Sequence, residues 1–139
     1  MTTATTTRKP KALLLDRDTV VLRLLGTALE ARGFDVRAAT DGESGTALLL
    51  DELLDLDVVV TALDLPARDG RSLLRLVRQA GGERELGLVL LGGATDDATR
   101  AELLGLGADA VVERSSGPSA VADLVEAVAG FSRLDLLAA

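Results

Sequence analysis

Short runs of apolar residues alternate along this chain with longer segments in which apolar residues recur at three- and four-residue spacing. The short runs, such as residues 12–15 and 58–60, are continuous and rich in leucine or valine. Such runs are typical of strands buried on both faces of a parallel sheet. The longer segments, such as residues 20–29, have the spacing of amphipathic helices. The pattern predicts five strands and five helices in strict alternation.

Capping signals predict where several helices begin and end. Asp18 or Thr19 can cap the first helix, and Gly33 stands where a left-handed residue would end it. Gly107 and Gly130 close the fourth and fifth helices. Five strand-helix units in about 120 residues predict an α/β fold: a doubly wound, parallel, five-stranded sheet of the flavodoxin-like (βα)5 kind.

Residues 11–130 are predicted to form one domain, flanked by two segments of different character. Residues 1–10 are threonine-rich and basic without periodicity, so we expect a disordered tail. Residues 131–139 form an extension more apolar than a solvated tail. Its large apolar residues are Phe131, Leu134, Leu136 and Leu137. The sequence leaves three interpretations open: the extension covers the sheet edge, it pairs with a second protomer, or it begins a segment of a longer protein.

The composition excludes several classes of chemistry. The 139 residues include no cysteine and no histidine. Thiol nucleophiles, disulfide scaffolds, zinc sites of histidine and cysteine, and the Ser-His-Asp triad are therefore excluded. Ser–Lys or carboxylate chemistry stays open, but an enzyme is not expected. The net charge of −7 and the presence of only two aromatic residues, Phe34 and Phe131, disfavour nucleic acid as a ligand.

The apolar runs also bear on cellular location. None of them approaches the roughly 20 residues that a membrane-spanning helix needs, so no membrane span is expected. No targeting segment is recognisable, and no cysteine is present to form disulfides. A cytoplasmic location is therefore the expectation.

In doubly wound sheets, ligands bind outside the carboxyl ends of the strands. Four segments follow those ends here, at residues 16–18, 61–64, 91–94 and 113–115. Candidate functional residues are therefore sought in these four segments.

Three motifs in and around these segments resemble the receiver domains of two-component response regulators. Residues 13–18 read LLLDRD, which resembles the hydrophobic strand and acidic opening of that family. Residues 57–70 read DVVVTALDLPARDG, similar to the block of its third strand that ends in Pro-Gly-x-Asp-Gly. Residues 106–109 read LGAD, similar to its turn before the fifth strand. The resemblance covers residues 11–129 and implies the receiver fold and a role in signalling.

The resemblance also implies what each site position would do. A phosphorylatable receiver uses an acidic pair to hold Mg²⁺, an aspartate to accept phosphate, a hydroxyl and a lysine. Counted along the motifs, those positions are held here by Asp16 and Arg17, Ala62, Gly92 and Arg114, and the aromatic switch position is held by Val111. The implied protein is a degenerate pseudo-receiver without an acceptor aspartate. Through residues 18–19, 28–34 and 40–42 it is also similar to unphosphorylatable receivers of bacterial motility and polarity proteins.

The substitutions at these positions are electrostatically consistent with one another. Asp16 is expected to face Arg17 and Arg114, and with Asp64 turned inward the charge of the pocket sums to about zero without a metal. Two like charges 4 Å apart repel by about 4 kcal/mol at an effective dielectric constant near 20, so Mg²⁺ beside Arg17 is disfavoured. We therefore expect a guanidinium in place of the ion, with no metal and no cofactor.

The first hypothesis about function is a phosphorylation-independent signalling module that acts through protein-protein contacts. The expected contact surface is formed by the fourth helix, the fifth strand and the fifth helix, and a homodimer is left open. The charged residues expected on this mostly acidic surface are Asp96, Asp97, Arg100, Glu102, Asp123 and Glu126. The acidic character favours either solubility alone or partner docking.

Two alternative hypotheses are kept. In the first, a small anion binds in the crevice near Arg17, Gly92 and Arg114, where N–H groups at a helix start favour negative charge. The competing interpretation of this crevice is a self-satisfied cluster of ion pairs. In the second, the phosphorylation switch has moved to Asp64, which otherwise pairs with Arg17 or points to solvent.

Overall fold

The computed structural model describes residues 9–80 and 86–130. Residues 1–8 of the predicted tail and the predicted apolar extension at residues 131–139 lie outside the described residues. The strands are β1 (Lys11–Leu15), β2 (Asp35–Ala39), β3 (Val58–Ala62), β4 (Gly87–Gly92) and β5 (Ala110–Glu113). The helices are α1 (Thr19–Glu30), α2 (Gly42–Glu52), α3 (Gly70–Ala80), α4 (Asp97–Gly105) and α5 (Pro118–Val128). A short 3₁₀ turn, Arg114–Ser116, joins β5 to α5.

All five strands lie parallel in one sheet, in the order β2-β1-β3-β4-β5. The central strand β3 is buried at all five positions, because helices cover both faces of a parallel sheet. This burial accounts for its run of valines, which pack well on a pleated surface. The predicted doubly wound, flavodoxin-like α/β fold is confirmed.

Side chains alternate across the sheet and supply two separate apolar layers. Leu13 and Leu15 of β1 lie in the layer that includes buried side chains of α2, α3 and α4. Ala12 and Leu14 lie in the layer shared with α1 and α5. Helices cover both faces of the sheet, so polar side chains that could bind a ligand or react with one lie at the ends of the strands.

The predicted helix boundaries marked by caps and glycines are confirmed. The Asp18 carboxylate accepts hydrogen bonds from two backbone N–H groups in the first turn of α1. Gly33, Gly107 and Gly130 have φ angles of 91°, 114° and 76°. These are left-handed values, and they place each glycine just beyond the end of α1, α4 or α5, where the absence of a Cβ avoids strain.

Pro10, placed by the sequence in the tail, belongs to the folded structure. It is buried, and its carbonyl accepts a hydrogen bond of 2.8 Å from the N–H of Asp35 at the start of β2. The folded region therefore includes one residue more than the predicted domain at this end.

The helices within the described ranges are all too short to cross a bilayer as apolar spans. The longest, α1, has 12 residues, against the roughly 20 that a membrane-spanning helix needs.

Candidate functional site

The carboxyl ends of β1, β3, β4 and β5 meet at one edge of the sheet, where the fold predicts a ligand site. A crevice of about 260 Å³ lies there, between the segment after β3 and the segment that joins β4 to α4. Its lining includes Leu63, Asp64, the four residues from Gly92 to Thr95, and Arg114. The structure thus brings together residues from three of the four segments that the sequence singled out.

Asp16, the first residue after β1, is the buried charge of the site. Only 1% of its surface is exposed, and both of its carboxylate oxygens are engaged. The N–H of Asp18 donates to Oδ1 at 2.9 Å, and Nε of Arg114 donates to Oδ2 at 2.9 Å. A buried carboxylate requires such partners, because burial of a charge without compensation costs several kcal/mol.

Arg114 reaches Asp16 from the 3₁₀ turn that follows β5. The two residues are 98 positions apart in the chain, and the side chain of Arg114 is one-third exposed. Because β3 and β4 lie between β1 and β5 in the sheet, this ion pair crosses the carboxyl ends of these two strands. It leaves part of the guanidinium bordering the crevice.

Arg17 does not face Asp16, so the expectation that it enters the pocket is wrong. Its side chain is 62% exposed and its Nη1 lies 3.4 Å from Oδ2 of Asp64, which is 82% exposed. This geometry agrees with the expectation that Asp64 pairs with Arg17 or points to solvent. Asp64 does not turn inward, so the charge balance of the buried site rests on Asp16 and Arg114.

Ala62 and Gly92 end two neighbouring strands and present no side-chain oxygen. Ala62 is fully buried and stands opposite Leu91 in the sheet register. A Cβ added to Gly92 would meet nothing closer than Oγ1 of Thr95 at 3.7 Å, so a larger side chain would fit. The hydroxyl of Thr95 donates to the carbonyl of Gly93 at 3.0 Å instead of standing at the strand end.

Val111, at the aromatic switch position, lies in the interior of the fold. Its side chain is buried in the apolar layer under α4. Nη1 of Arg100 in α4 donates to the carbonyl of Val111 at 2.6 Å, and this contact ties α4 to the outer edge of β5. A valine has too small a side chain to swing between buried and exposed positions as an aromatic residue can.

The resemblance implies a divalent cation, and the residues present do not fit one. Mg²⁺ needs an octahedral set of oxygen ligands, usually with one or two carboxylates free to bind it. Here the Asp16 carboxylate is bonded on both oxygens, a guanidinium stands 2.9 Å away, and Ala62 supplies a methyl group. No cluster of three or more acids suited to a metal ion occurs within residues 9–80 and 86–130.

Three acids on the predicted acidic surface of α4, β5 and α5 are paired with bases from elsewhere in the fold. Glu102 accepts two hydrogen bonds from Arg71, at 2.9 and 3.0 Å, and this partner lowers the pKa of Glu102. Arg32 lies 2.7 Å from Asp123 and 3.3 Å from Glu126. The prediction that this surface is mostly acidic is therefore corrected for these three acids, because Arg32, just after the end of α1, and Arg71 of α3 lie beside them.

Asp96 acts as the N-cap of α4 and not as a free surface charge. Its Oδ1 accepts a hydrogen bond of 2.7 Å from the N–H of Thr99. This backbone hydrogen bond is the main reason that the pKa of Asp96 is lowered. A capping role accounts for one more of the acids that the sequence assigned to the surface.

An apolar groove between α1 and α5 was not foreseen from the sequence. It adjoins Arg114 and is lined by Val21, Leu24, Leu25, Leu91, Gly117, Pro118 and Val121. Helical spacing assigns such residues to the core, so the sequence carries no signal that separates a partly open groove from a closed interior.

Comparisons with known proteins agree with this architecture. The chain matches the family described as the response regulator receiver domain over residues 12–128. It is 31% identical over 112 residues to the transcriptional regulatory protein AruR of Pseudomonas aeruginosa, covering 78% of this chain and 45% of that protein. The chain spans less than half the length of the curated relatives that it matches first.

Solved structures share the fold. The signal receiver domain of the response regulator NarL from Mycobacterium tuberculosis superposes with a TM-score of 0.79 at 21% identity, covering 89% of this chain and 98% of that one. The CheX-CheY-BeF3-Mg+2 complex from Borrelia burgdorferi contains a chain with a TM-score of 0.78 at 18% identity, covering 86% of this chain and 88% of that one. At these identities the likeness concerns the fold alone.

Proposed function

Because the chain belongs to the response regulator receiver domain family, we propose that it is a receiver-fold signalling module that works without being phosphorylated. The observation that carries the proposal is the pair of Asp16 and Arg114, with a guanidinium nitrogen 2.9 Å from the buried carboxylate. Arg114 holds the position that a lysine holds in a phosphorylatable receiver, and its bond occupies an oxygen of the carboxylate that would otherwise help to hold a metal ion. The protein is then a pseudo-receiver, and its signal passes through contacts with other proteins.

The chemistry at the strand ends supports this proposal. Phosphoryl transfer depends on positioning and on charge neutralisation by a metal. Ala62 supplies no oxygen to phosphorylate, and Gly92 supplies no hydroxyl. The Asp64 carboxylate is exposed and paired with Arg17, so a relocated acceptor would lack a metal held beside it.

Protein contact is proposed as the mode of action, in the cytoplasm and with no catalytic step of its own. One structural neighbour is a complex of two proteins, CheX and CheY. For this chain we assign the contact to the surface of α4, β5 and α5, where Leu104 of α4 is an exposed large apolar residue. The ion pairs around it leave the surface closer to neutral than its sequence predicted, which lowers the cost of docking a partner. The partner that binds this surface is another protein or a second copy of this chain.

Intact mass after incubation with Mg²⁺ and acetyl phosphate tests the proposal. We expect an unchanged mass, while an ordinary receiver with an acceptor aspartate gains a phosphoryl group under the same conditions. A gain of one phosphoryl group by this chain would overturn the proposal. If the Asp64→Asn variant then gains no phosphoryl group, Asp64 is the phosphorylated residue. If the variant still gains one, another residue is phosphorylated.

A second candidate function is the sensing of a small anion in the crevice. The favouring observation is that Arg114 lines the crevice together with residues 92–95. Asp64 and Asp96 also line it, and Arg17 does not, so the positive charge is smaller than the sequence predicted. Thermal shift with inorganic phosphate tests this candidate: stabilisation that is lost in Arg114→Met supports it, and no stabilisation excludes phosphate as the ligand.

A further inference from the structure

The outward face of α2 carries a stripe of exposed apolar side chains. Ala47 and Leu50 lie on the helix and Leu54 lies in the turn that closes it, at three- and four-residue spacing. Leu50 is 54% exposed and Leu54 is 84% exposed. The buried residues Gly45 and Leu49 point the other way, toward the sheet. The stripe is therefore a second apolar face on a helix whose first face already packs on the core.

This stripe is the most exposed group of large apolar side chains among the described residues. Val20 and Leu24 of α1 and Leu104 of α4 are exposed as well, but each to less than half of its surface. From the first to the last position of the α2 stripe there are seven helical rises, or about 10 Å along the helix. That length matches one face of a docked helix over two turns.

Charged groups flank the α2 stripe with a net negative sign. Glu43 in the first turn and Asp51 beside Leu50 are both exposed. Arg68 is a base beside this face; it donates to the hydroxyl of Ser72 at 3.3 Å and borders a shallow depression together with Glu43 and Ala47. The stripe thus has an apolar centre and a mainly acidic rim.

We propose that the α2 stripe, formed by Ala47, Leu50 and Leu54, docks a basic amphipathic helix of a protein partner. Leucine-like side chains of the partner would cover the stripe, and its lysines or arginines would lie against Glu43 and Asp51. Opposite charges on an apolar interface favour encounter and orientation. A second copy is a poorer occupant, because it would set acidic rims and two chains of net charge −7 against each other.

This surface is separate from that of α4, β5 and α5, so the inference goes beyond the proposed function. It concerns a second contact site on the same module. Phosphorylation chemistry has no part in it, and the intact-mass experiment is independent of its outcome.

The test uses a dye-labelled synthetic peptide of about 18 residues, or five helical turns, built from leucine and lysine so that the leucines form one stripe. Fluorescence anisotropy is expected to show saturable one-to-one binding to the full chain. Leu50→Lys and Leu54→Lys should each weaken binding at least about tenfold, and added salt should weaken it further. The matched control is Leu24→Lys, a comparably exposed leucine on α1, which should leave affinity within about twofold.

Four results would overturn the proposal. The first is no binding to the unmodified chain, and the second is equal weakening by Leu24→Lys. The third is equal binding of a peptide in which glutamate replaces every lysine. The fourth is sedimentation of the unmodified chain as a dimer that Leu54→Lys converts to a monomer, which would make a second copy the occupant. Circular dichroism of each variant confirms that lost binding does not come from lost folding.

Discussion

Arg114 forms an ion pair with the buried Asp16 that joins the turn after β5 to the end of β1. Nε of Arg114 lies 2.9 Å from Oδ2 of Asp16, and the carboxylate is almost wholly removed from solvent. The pair holds the connection between β5 and α5 against the end of β1 by its own charges.

Arg114→Met is expected to lower the free energy of unfolding by about 2 to 3 kcal/mol. The Asp16 carboxylate would stay buried with its charge uncompensated, and the figure lies below that for a fully buried pair because Arg114 is one-third exposed. Urea denaturation measures the change. Arg17→Met is the matched control, since its pair with Asp64 is exposed and should be worth less than about 1 kcal/mol. Equal effects of the two substitutions would contradict the assigned role of Arg114.

Arg17→Asp combined with Ala62→Asp is expected to restore some affinity for Mg²⁺. The two substitutions add carboxylates beside Asp16 and supply the oxygen ligands that the ion prefers. Because Arg114 already occupies one oxygen of Asp16, adding Arg114→Lys should strengthen the binding further. Isothermal titration measures it, and the same positions changed to asparagine provide a neutral control. If all the acidic variants remain without site-specific heat, the alignment of the acidic loop is wrong.

Ala67→Gly is expected to stabilise the fold by about 1 kcal/mol. Ala67 has a φ angle of 72°, a left-handed conformation that costs a residue with a Cβ roughly 1 to 2 kcal/mol and costs glycine little. Thermal unfolding measures the change. Ala101→Gly, at an exposed position inside α4, should instead destabilise by roughly 0.5 to 1 kcal/mol. Destabilisation by both substitutions would show that Ala67 is not strained in solution.

The free energy of unfolding is expected to fall at acid pH, partly because Glu52 becomes protonated and loses its ion pairs. The hydrogen bond of 2.6 Å from Nζ of Lys11 is the main cause that lowers the pKa of Glu52, with further help from the charges of Lys11 and Arg37. An acid whose pKa is lowered by folding stabilises the fold above its ordinary pKa and loses that contribution as the pH falls through the lowered value.

Glu52→Gln should therefore lower the melting temperature near neutral pH, and its difference from the unmodified chain should shrink below about pH 4. Lys11→Met removes the main donor and should make the effect of Glu52→Gln smaller when the two are combined, leaving the part that comes from Arg37. Melting curves across the acid range measure both effects. A constant difference at every pH would exclude the ion pair as its cause.

Much of the fold could be predicted because its signals are local. The β-branched run of β3, the cap at Asp18 and the glycines that end α1, α4 and α5 each act within a few residues of the backbone that they shape. The positions of Ala62 and Gly92 at strand ends could also be counted along the chain, because the motifs keep their spacing. Each of these features lies where the sequence predicted it.

Side-chain partnerships across the fold could not be predicted in the same way. Arg32 and Arg71 neutralise acids 91 and 31 positions away, and no local pattern marks those pairs. The exposed stripe at Leu50 and Leu54 also looks, in the sequence, like one more run of core leucines. Exposure depends on which face of α2 the sheet covers, and that face is chosen by packing.

The sequence by itself determined the alternation of strands and helices, the strand ends at which a site forms, and the absence of side-chain oxygens at Ala62 and Gly92. Only the tertiary structure decided which arginine reaches Asp16. Arg17 is adjacent in the chain, yet it extends to solvent and meets Asp64, while Arg114 arrives from the far edge of the sheet. The physical reason is that hydrophobic periodicity and capping act over neighbouring residues, whereas a buried charge is paired by whichever side chain the assembled strands bring within hydrogen-bond distance.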